Sequence, residues 1–371
     1  MMTLDPASDS RTVMTLDAGG TSFKFSAIKG NQPVVEPFRV PSQADNLDNC
    51  LGALRDGFQK VKDSLPEDPV AISFAFPGPA DYSRGIIGDL PNLPCFRGGV
   101  ALGPMLEEHF GIPAYINNDG DLFAYGEAIA GLLPHVNGLL EKAGSPKRYQ
   151  NLFGVTLGTG FGGGIARGGE LFRGDNVSAA EVWLLRNKLL PETNAEEGAC
   201  IRAVQRVYCE VAGLTPEQAP DPKTIFEIST GETAGDQSAA QAAFDHIGTV
   251  VGDAMAQALT LIDGLAVIGG GISGAAPAFL PNLLAELNGN YRSPAGDEFP
   301  RLVQRSFNLE DPDQLERFLA GETRKITVPG TSRTLSYDPL PRIGVGLSRL
   351  GTSEAVAIGA YSFALKQLSK A

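Results

Sequence analysis

One design appears twice in this chain: an apolar strand, a glycine-rich tip, and a returning strand. Residues 12–16 run into Asp17-Ala18-Gly19-Gly20-Thr21. Residues 23–28 resume the strand, and Lys29-Gly30-Asn31-Gln32-Pro33 turns it. Residues 152–157 end in Gly158-Thr159-Gly160-Phe161-Gly162-Gly163-Gly164. Ile165-Ala166-Arg167 resumes that strand and Gly168-Gly169 turns it. Two hairpins of one design point to a duplicated α/β unit. The chain's 371 residues suffice for two cores, because a single core stops growing near about 250–300 residues.

The first hairpin is followed by helical spacing over residues 47–62, carried by Leu51, Leu54, Phe58 and Val61. Residues 70–76 form a short apolar strand stopped by Pro77-Gly78-Pro79, and residues 103–110 a helix. Residues 112–116 then form a strand that ends in Asn117-Asn118-Asp119-Gly120-Asp121, after which residues 122–133 read as a helix. Carboxylates and amides thus gather where a strand ends and a helix begins, the ligand-binding position of open α/β sheets. Asp119 is the candidate general base of a phosphoryl transfer. The competing reading is that Asp119 or Asp121 only caps the following helix, a position that suits aspartate.

Beyond the second hairpin, residues 179–190, 200–211 and 237–261 read as helices. Residues 265–268 form a strand leading into Gly269-Gly270-Gly271, and residues 277–287 form a helix. Residues 288–340 show little periodicity and read as an irregular excursion. Residues 343–347 form a last strand, and residues 353–368 a helix that packs back on the first domain. The expected domains are therefore 1–120 completed by 353–371, and 121–352 carrying the insertion at about 288–340.

Composition narrows the function classes. The net charge of −13 disfavours a polyanionic partner such as DNA. The four cysteines, Cys50, Cys95, Cys200 and Cys209, make no C-x-x-C pattern and fit buried thiols in a reducing cytoplasm. The three histidines lie far apart in sequence and read as ordinary surface or core residues. Residues 1–11 lack the apolar segment of a signal peptide, and no run of about 18 apolar residues marks a membrane span.

The glycine tips carry the remaining chemistry. Asp17 with Gly19, Gly20 and Thr21 can hold a water-coordinated Mg²⁺ and bring backbone N–H groups to a phosphate. Gly158, Thr159 and Gly160 form a second anion cradle, with the Thr159 hydroxyl as an added donor. Gly269, Gly270 and Gly271 lack the Cβ atoms that would keep an adenine ring off the backbone. None of this is the P-loop, because no G-x-x-x-x-G-K-[ST] occurs. It is not the dinucleotide fingerprint either, because the first tip enters a hairpin and not a helix.

Taken in order, these stretches resemble the ROK family of bacterial sugar kinases (repressor, open reading frame, kinase), within the actin-like ATPase superfamily. Asp17-Ala18-Gly19-Gly20-Thr21 is similar to the first phosphate motif. Asn118-Asp119-Gly120-Asp121 through Gly126-Glu127 is similar to the N-D-x-N…G-E segment. Residues 157–164 are similar to the second phosphate motif, and residues 263–273 to the adenosine motif. The resemblance implies an α/β, two-domain actin-like (ribonuclease H-like) fold with mixed sheets and a cleft between domains. It implies ATP and Mg²⁺, Asp119 as base, and Asn118 holding a sugar hydroxyl. Asn92 in Pro91-Asn92-Leu93-Pro94 matches a sugar-contacting loop, and Gly78 a wall of the sugar site. Glu181 matches the glutamate of the family's A-G-E-x-G-H stretch.

Two departures stand out. Leu184 occupies the place of that stretch's histidine, and the zinc motif C-x-C-G-x-x-G-C is missing, with Cys200 as its only remnant. A structural zinc site needs four N or S ligands, so zinc is not expected, and the region 181–202 must be held by packing, with Trp183 as an anchor. The implied activity is ATP-dependent phosphorylation of a hexose, glucose at its 6-hydroxyl by default. N-acetylhexosamine, mannose and fructose stay open as acceptors. A homodimer is common among relatives. The alternatives are a sugar-binding protein without catalysis and a sugar-responsive regulator. For the regulator, residues 1–11 are too short to supply a DNA-binding domain ahead of the first strand.

Overall fold

The computed structural model describes residues 5–90 and 93–370. Contacts divide it into two units. The first comprises 1–131, 169–179 and 350–371, and the second comprises 132–168 and 180–349.

The first unit is built on a mixed sheet. Strand Val13–Ala18 pairs antiparallel with Ser22–Lys29 on one side and parallel with Ala71–Ala75 on the other, and Ala114–Asn117 follows in parallel. Gln32–Pro33 and Phe38–Pro41 extend it beyond Ser22–Lys29. Helix Leu47–Asp63, capped by the Asn46 side chain on the Asn49 N–H, buries Cys50, Leu54, Phe58 and Val61. That apolar stripe packs with Phe23, Phe25 and Phe74 on one face of the sheet. On the opposite face, Tyr361, Ala364 and Leu365 of helix Thr352–Leu368 cover Val13, Ile28 and Ala71.

The closing helix also fixes helix Asp119–Ile129. A Cβ on Gly126 would strike the Ala355 carbonyl oxygen, and one on Gly359 the Leu122 carbonyl oxygen. Each helix therefore has a glycine where the other's backbone approaches. This contact places the whole of Asp119–Ile129 in the first unit, so the sequence-based boundary at 120 falls inside a helix. The helix also stops earlier than residue 133. Gly131 sits against the Glu127 side chain, and Leu132–Lys142 is a separate helix of the second unit.

The second unit repeats the sheet design. Asn151–Leu157 pairs antiparallel with Phe161–Arg167, and Leu265–Gly269 and Arg342–Leu347 follow in parallel. Helices Ile201–Ala212, Gln237–Ile262 and Ala276–Leu287 share one core with Phe153, Val155, Ile268 and Val345. Two readings of the sequence are corrected. Residues 179–190 contain only the short 3-10 turn Val182–Leu184. Residues 288–340 are not an irregular excursion. Arg305–Asn308 joins the sheet parallel to Arg342–Leu347, and Asp311 caps helix Pro312–Ala320. Hairpins Asn290–Arg292/Glu298–Pro300 and Arg324–Thr327/Thr334–Tyr337 fill the rest. Every residue of those four hairpin strands is exposed, so no apolar alternation announced them. Among the described residues no helix is long and apolar enough to cross a membrane.

Candidate active site

In the first unit Asp17 pairs with Ala75, and Ala75 pairs with Asn117. The ends of three parallel strands thus form one row, and Asp17 and Asn117 are two strand spacings apart, about 10 Å. Helix Asp119–Ile129 starts directly beyond this row. Its N-cap is Asn118, whose Oδ1 accepts from the Gly120 N–H at 2.8 Å. Neither Asp119 nor Asp121 is the cap. Asp119 Oδ1 shares the same N–H at 2.8 Å, while its side chain is exposed to solvent; Asp121 is buried.

Asp119's surroundings raise its carboxyl above the ordinary aspartate range. Desolvation by surrounding protein is the first cause, and the like charge of Asp17 adds to it. Backbone N–H groups of Gly120 and of Asp119 itself pull the other way. Asn118, expected to hold a sugar hydroxyl, has its carbonyl oxygen committed to the cap, which leaves its amide N–H groups as donors.

The first glycine tip is held from behind. Ser42, itself buried, donates its N–H to the Thr21 carbonyl at 3.1 Å and its hydroxyl to the Gly20 carbonyl at 2.6 Å. The Gly19 N–H closes on the Ser22 carbonyl at 3.0 Å. Three acceptors are thus tied to protein, and Asp17, Gly20 and Thr21 are exposed. Gly78 follows strand Ala71–Ala75, whose neighbour Phe76 donates its N–H to the Asn117 carbonyl at 3.0 Å. A Cβ on Gly78 would come within 3.1 Å of the Tyr82 hydroxyl, a tight approach. Asn92 lies outside the described residues.

Sequence reasoning noted Asn117 at the strand end without giving it a role, and it missed Arg173. Asn117 is fully buried, and its Oδ1 accepts from Arg173 Nη1 at 3.2 Å. The Arg173 guanidinium lies 4.9 Å from the centre of the Phe363 ring. Desolvation lowers the Arg173 pKa, and the charge of Asp121 opposes this. The Asn117 amide nitrogen is buried with no partner among the described residues. No local pattern signals that residues 169–179, which follow the second hairpin in sequence, fold into the first unit.

The second unit carries the other tips. In the turn 158–160 the Gly158 N–H donates to the Gly160 carbonyl at 3.0 Å, and the Gly158 carbonyl accepts from the Ile201 N–H at 2.9 Å. Gly158 has open space where a Cβ would stand. At the third tip, Gly269 ends a strand, and Gly270 has φ +87° with Leu157 backbone atoms where its Cβ would be. The neighbouring strand therefore requires glycine at 270, whereas Gly271 faces open space. Glu181 is exposed, and its carboxylate accepts from the Trp183 indole N–H; Trp183 packs on the second core. Leu184 is exposed. Cys200 is buried at the N-cap of helix Ile201–Ala212. Among the described residues no three His, Cys, Asp or Glu side chains cluster as a metal site.

Two units, each with an antiparallel hairpin beside parallel strands and a glycine tip, define an actin-like ATPase fold. A sequence profile of the ROK family matches residues 13–308. The crystal structure of a glucokinase from Parabacteroides distasonis is 54% identical, with TM-score 0.89, covering 98% of this chain and 99% of that one. A glucokinase of Halalkalibacterium halodurans is 27% identical over 297 residues, 73% of this chain and 83% of the relative. A ROK family glucokinase of Streptomyces griseus, solved with glucose and AMPPNP, is 20% identical with TM-score 0.58, covers 94% of this chain and 98% of that one, and speaks for the fold alone. The chain belongs to the ROK family, and within it to the ATP-dependent sugar kinases.

Proposed function

We propose that this protein transfers the γ-phosphoryl group of ATP to the 6-hydroxyl of glucose, with Asp119 as general base. The observation that carries the reading is the state of Asp119. Asp119 is exposed at the start of the helix, its carboxyl is raised above the ordinary aspartate range, and it shares the Gly120 N–H with the cap residue Asn118. The hydroxyl proton passes to Asp119 as the sugar oxygen bonds to phosphorus; the bond to the bridging oxygen breaks and ADP leaves. General-base assistance is worth about 10²–10⁴-fold. Positioning and charge stabilisation supply most of the remainder.

Sugar contacts fall to Asn118, Asn92, Glu181 and the backbone at Gly78. Phosphate contacts fall to Gly19, Gly20, Thr21, Gly158, Thr159 and Gly160, with the nucleoside beside Gly269, Gly270 and Gly271. Asp17 fits Mg²⁺: its exposed side chain precedes the exposed turn Gly20-Thr21, and Mg²⁺ would take one or two carboxylates plus waters and phosphate oxygens, supplying charge neutralisation. Glucose as acceptor is supported by the similarity to the Parabacteroides distasonis glucokinase. The expected compartment is the cytoplasm.

A coupled assay with ATP and glucose, N-acetylglucosamine, N-acetylmannosamine, mannose and fructose tests the reading. The expected result is the highest kcat/KM on glucose. Turnover on none of them would leave only a sugar-binding role.

A further inference from the structure

The turn 158–160 is held by two charged side chains from the segment that follows it in space. The Thr159 carbonyl accepts from Arg202 Nη1 at 3.2 Å. The Phe161 N–H donates to Glu196 Oε2 at 3.0 Å. The same carboxylate oxygen would lie 2.6 Å from a Cβ on Gly160, so only glycine lets Glu196 come this close. Arg202 Nη2 in turn reaches Glu196 Oε1 at 3.4 Å and Glu197 Oε1 at 3.2 Å.

The consequence is a sorting of polar groups. The carbonyls of Gly158, Thr159 and Gly160 are all engaged, by the Ile201 N–H, by Arg202 and by the Gly158 N–H. The N–H groups of Gly158 and Phe161 are engaged too. The turn's remaining backbone groups, the N–H of Thr159 and the N–H of Gly160, have no acceptor among the described residues. A nest of free donors whose carbonyls are tied back is what an anion requires.

We propose that Arg202 and Glu196 are positioning residues for the nucleotide: they turn the acceptors of the 158–160 turn away from the phosphates, and Arg202 cancels the charge that Glu196 brings beside them. This rests on the assignment of that turn to phosphate binding. Both side chains act through the backbone and not by touching the nucleotide.

The segment that supplies them is itself fixed. Asn194 caps the 3-10 turn Ala195–Gly198 through the Glu197 N–H, and Ala195, Ala199 and Cys200 are fully buried. Packing and one ion-pair cluster thus tie this segment to the phosphate turn.

The test is calorimetric ATP affinity without sugar, together with the KM values for ATP and for sugar. Arg202→Ala should weaken ATP binding about tenfold or more, the scale of a lost hydrogen bond to a charged group. The KM for sugar should hold, and Arg202→Lys should recover part of the loss. Glu196→Ala should weaken ATP binding, while Glu196→Gln, which keeps an acceptor for the Phe161 N–H without the charge, should bind ATP at least as well as the wild type. Unchanged ATP affinity in both alanine variants overturns the proposal. Hydrogen exchange separates this from failure of the underlying assignment. ATP should slow exchange at 158–161 in the wild type, and an ATP-bound wild type without that protection removes the turn from the phosphate site altogether.

Discussion

Asp17 and Asn117 occupy one row of the first sheet, each in register with Ala75 between them. The row bears on the residue just beyond it: desolvation is the first cause that raises the Asp119 carboxyl, and the like charge of Asp17 adds to it.

A pH profile follows from that arrangement. If Asp119 is the base, it acts deprotonated, so kcat/KM should fall as pH drops through its raised pKa, above the ordinary aspartate value of about 3.9. Asp17→Asn removes the like charge and should move this acid limb to lower pH. Desolvation, the larger influence, remains, so the limb stays above the ordinary value. The residual activity of Asp17→Asn, followed across pH, checks the direction. A limb that moves upward contradicts it.

Arg173 should matter to both stability and rate. Arg173→Met keeps much of the packing on Phe363 but leaves the buried Asn117 amide without its partner. The cost of such an orphaned group is about 1–3 kcal/mol. Thermal unfolding should shift down accordingly, and kcat should fall because Asn117 immediately precedes the cap residue Asn118. An unchanged melting temperature would show that the Arg173–Asn117 bond contributes nothing.

The helix crossing at Gly126 and Gly359 has a steric consequence. Gly359→Ala places a methyl against the Leu122 carbonyl, and the helices must separate. Overpacking of this kind costs about 1–3 kcal/mol, against the slight gain in helix propensity from alanine. Denaturant melts should show a lower midpoint. A more stable Gly359→Ala would mean that the helices part without strain.

The legible parts of this fold were those with strong local periodicity. The stripe Leu51, Leu54, Phe58 and Val61 announced its helix, and the two glycine-tipped hairpins announced the duplication. The hairpins within 290–337 carried no signal, because every one of their strand residues is exposed. Strand Arg305–Asn308 has only Ser306 and Phe307 buried, too short a pattern to read. At the site, Asp119 stood out by its place between strand and helix. Whether it or a neighbour capped the helix depends on side-chain rotation, which sequence does not encode. Arg173 was hidden for another reason: residues 169–179 join the first unit through contacts with residues far away in sequence. The glycines at 270 and 160 also have a packing reason that the sequence did not show. One clears the backbone of Leu157, and the other the Glu196 carboxylate.

The most direct measurement is turnover and sugar binding in Asp119→Asn. This change keeps the side chain's shape and its acceptor for the Gly120 N–H while removing the base. The steady-state rate with ATP and glucose should fall by at least about 10²–10⁴-fold, the usual worth of general-base catalysis. Glucose affinity by calorimetry should stay within about threefold of the wild type, a difference below 1 kcal/mol. A variant that retains more than about a tenth of wild-type turnover, with glucose bound normally, would show that the proton leaves by another route and that Asp119 is not the base.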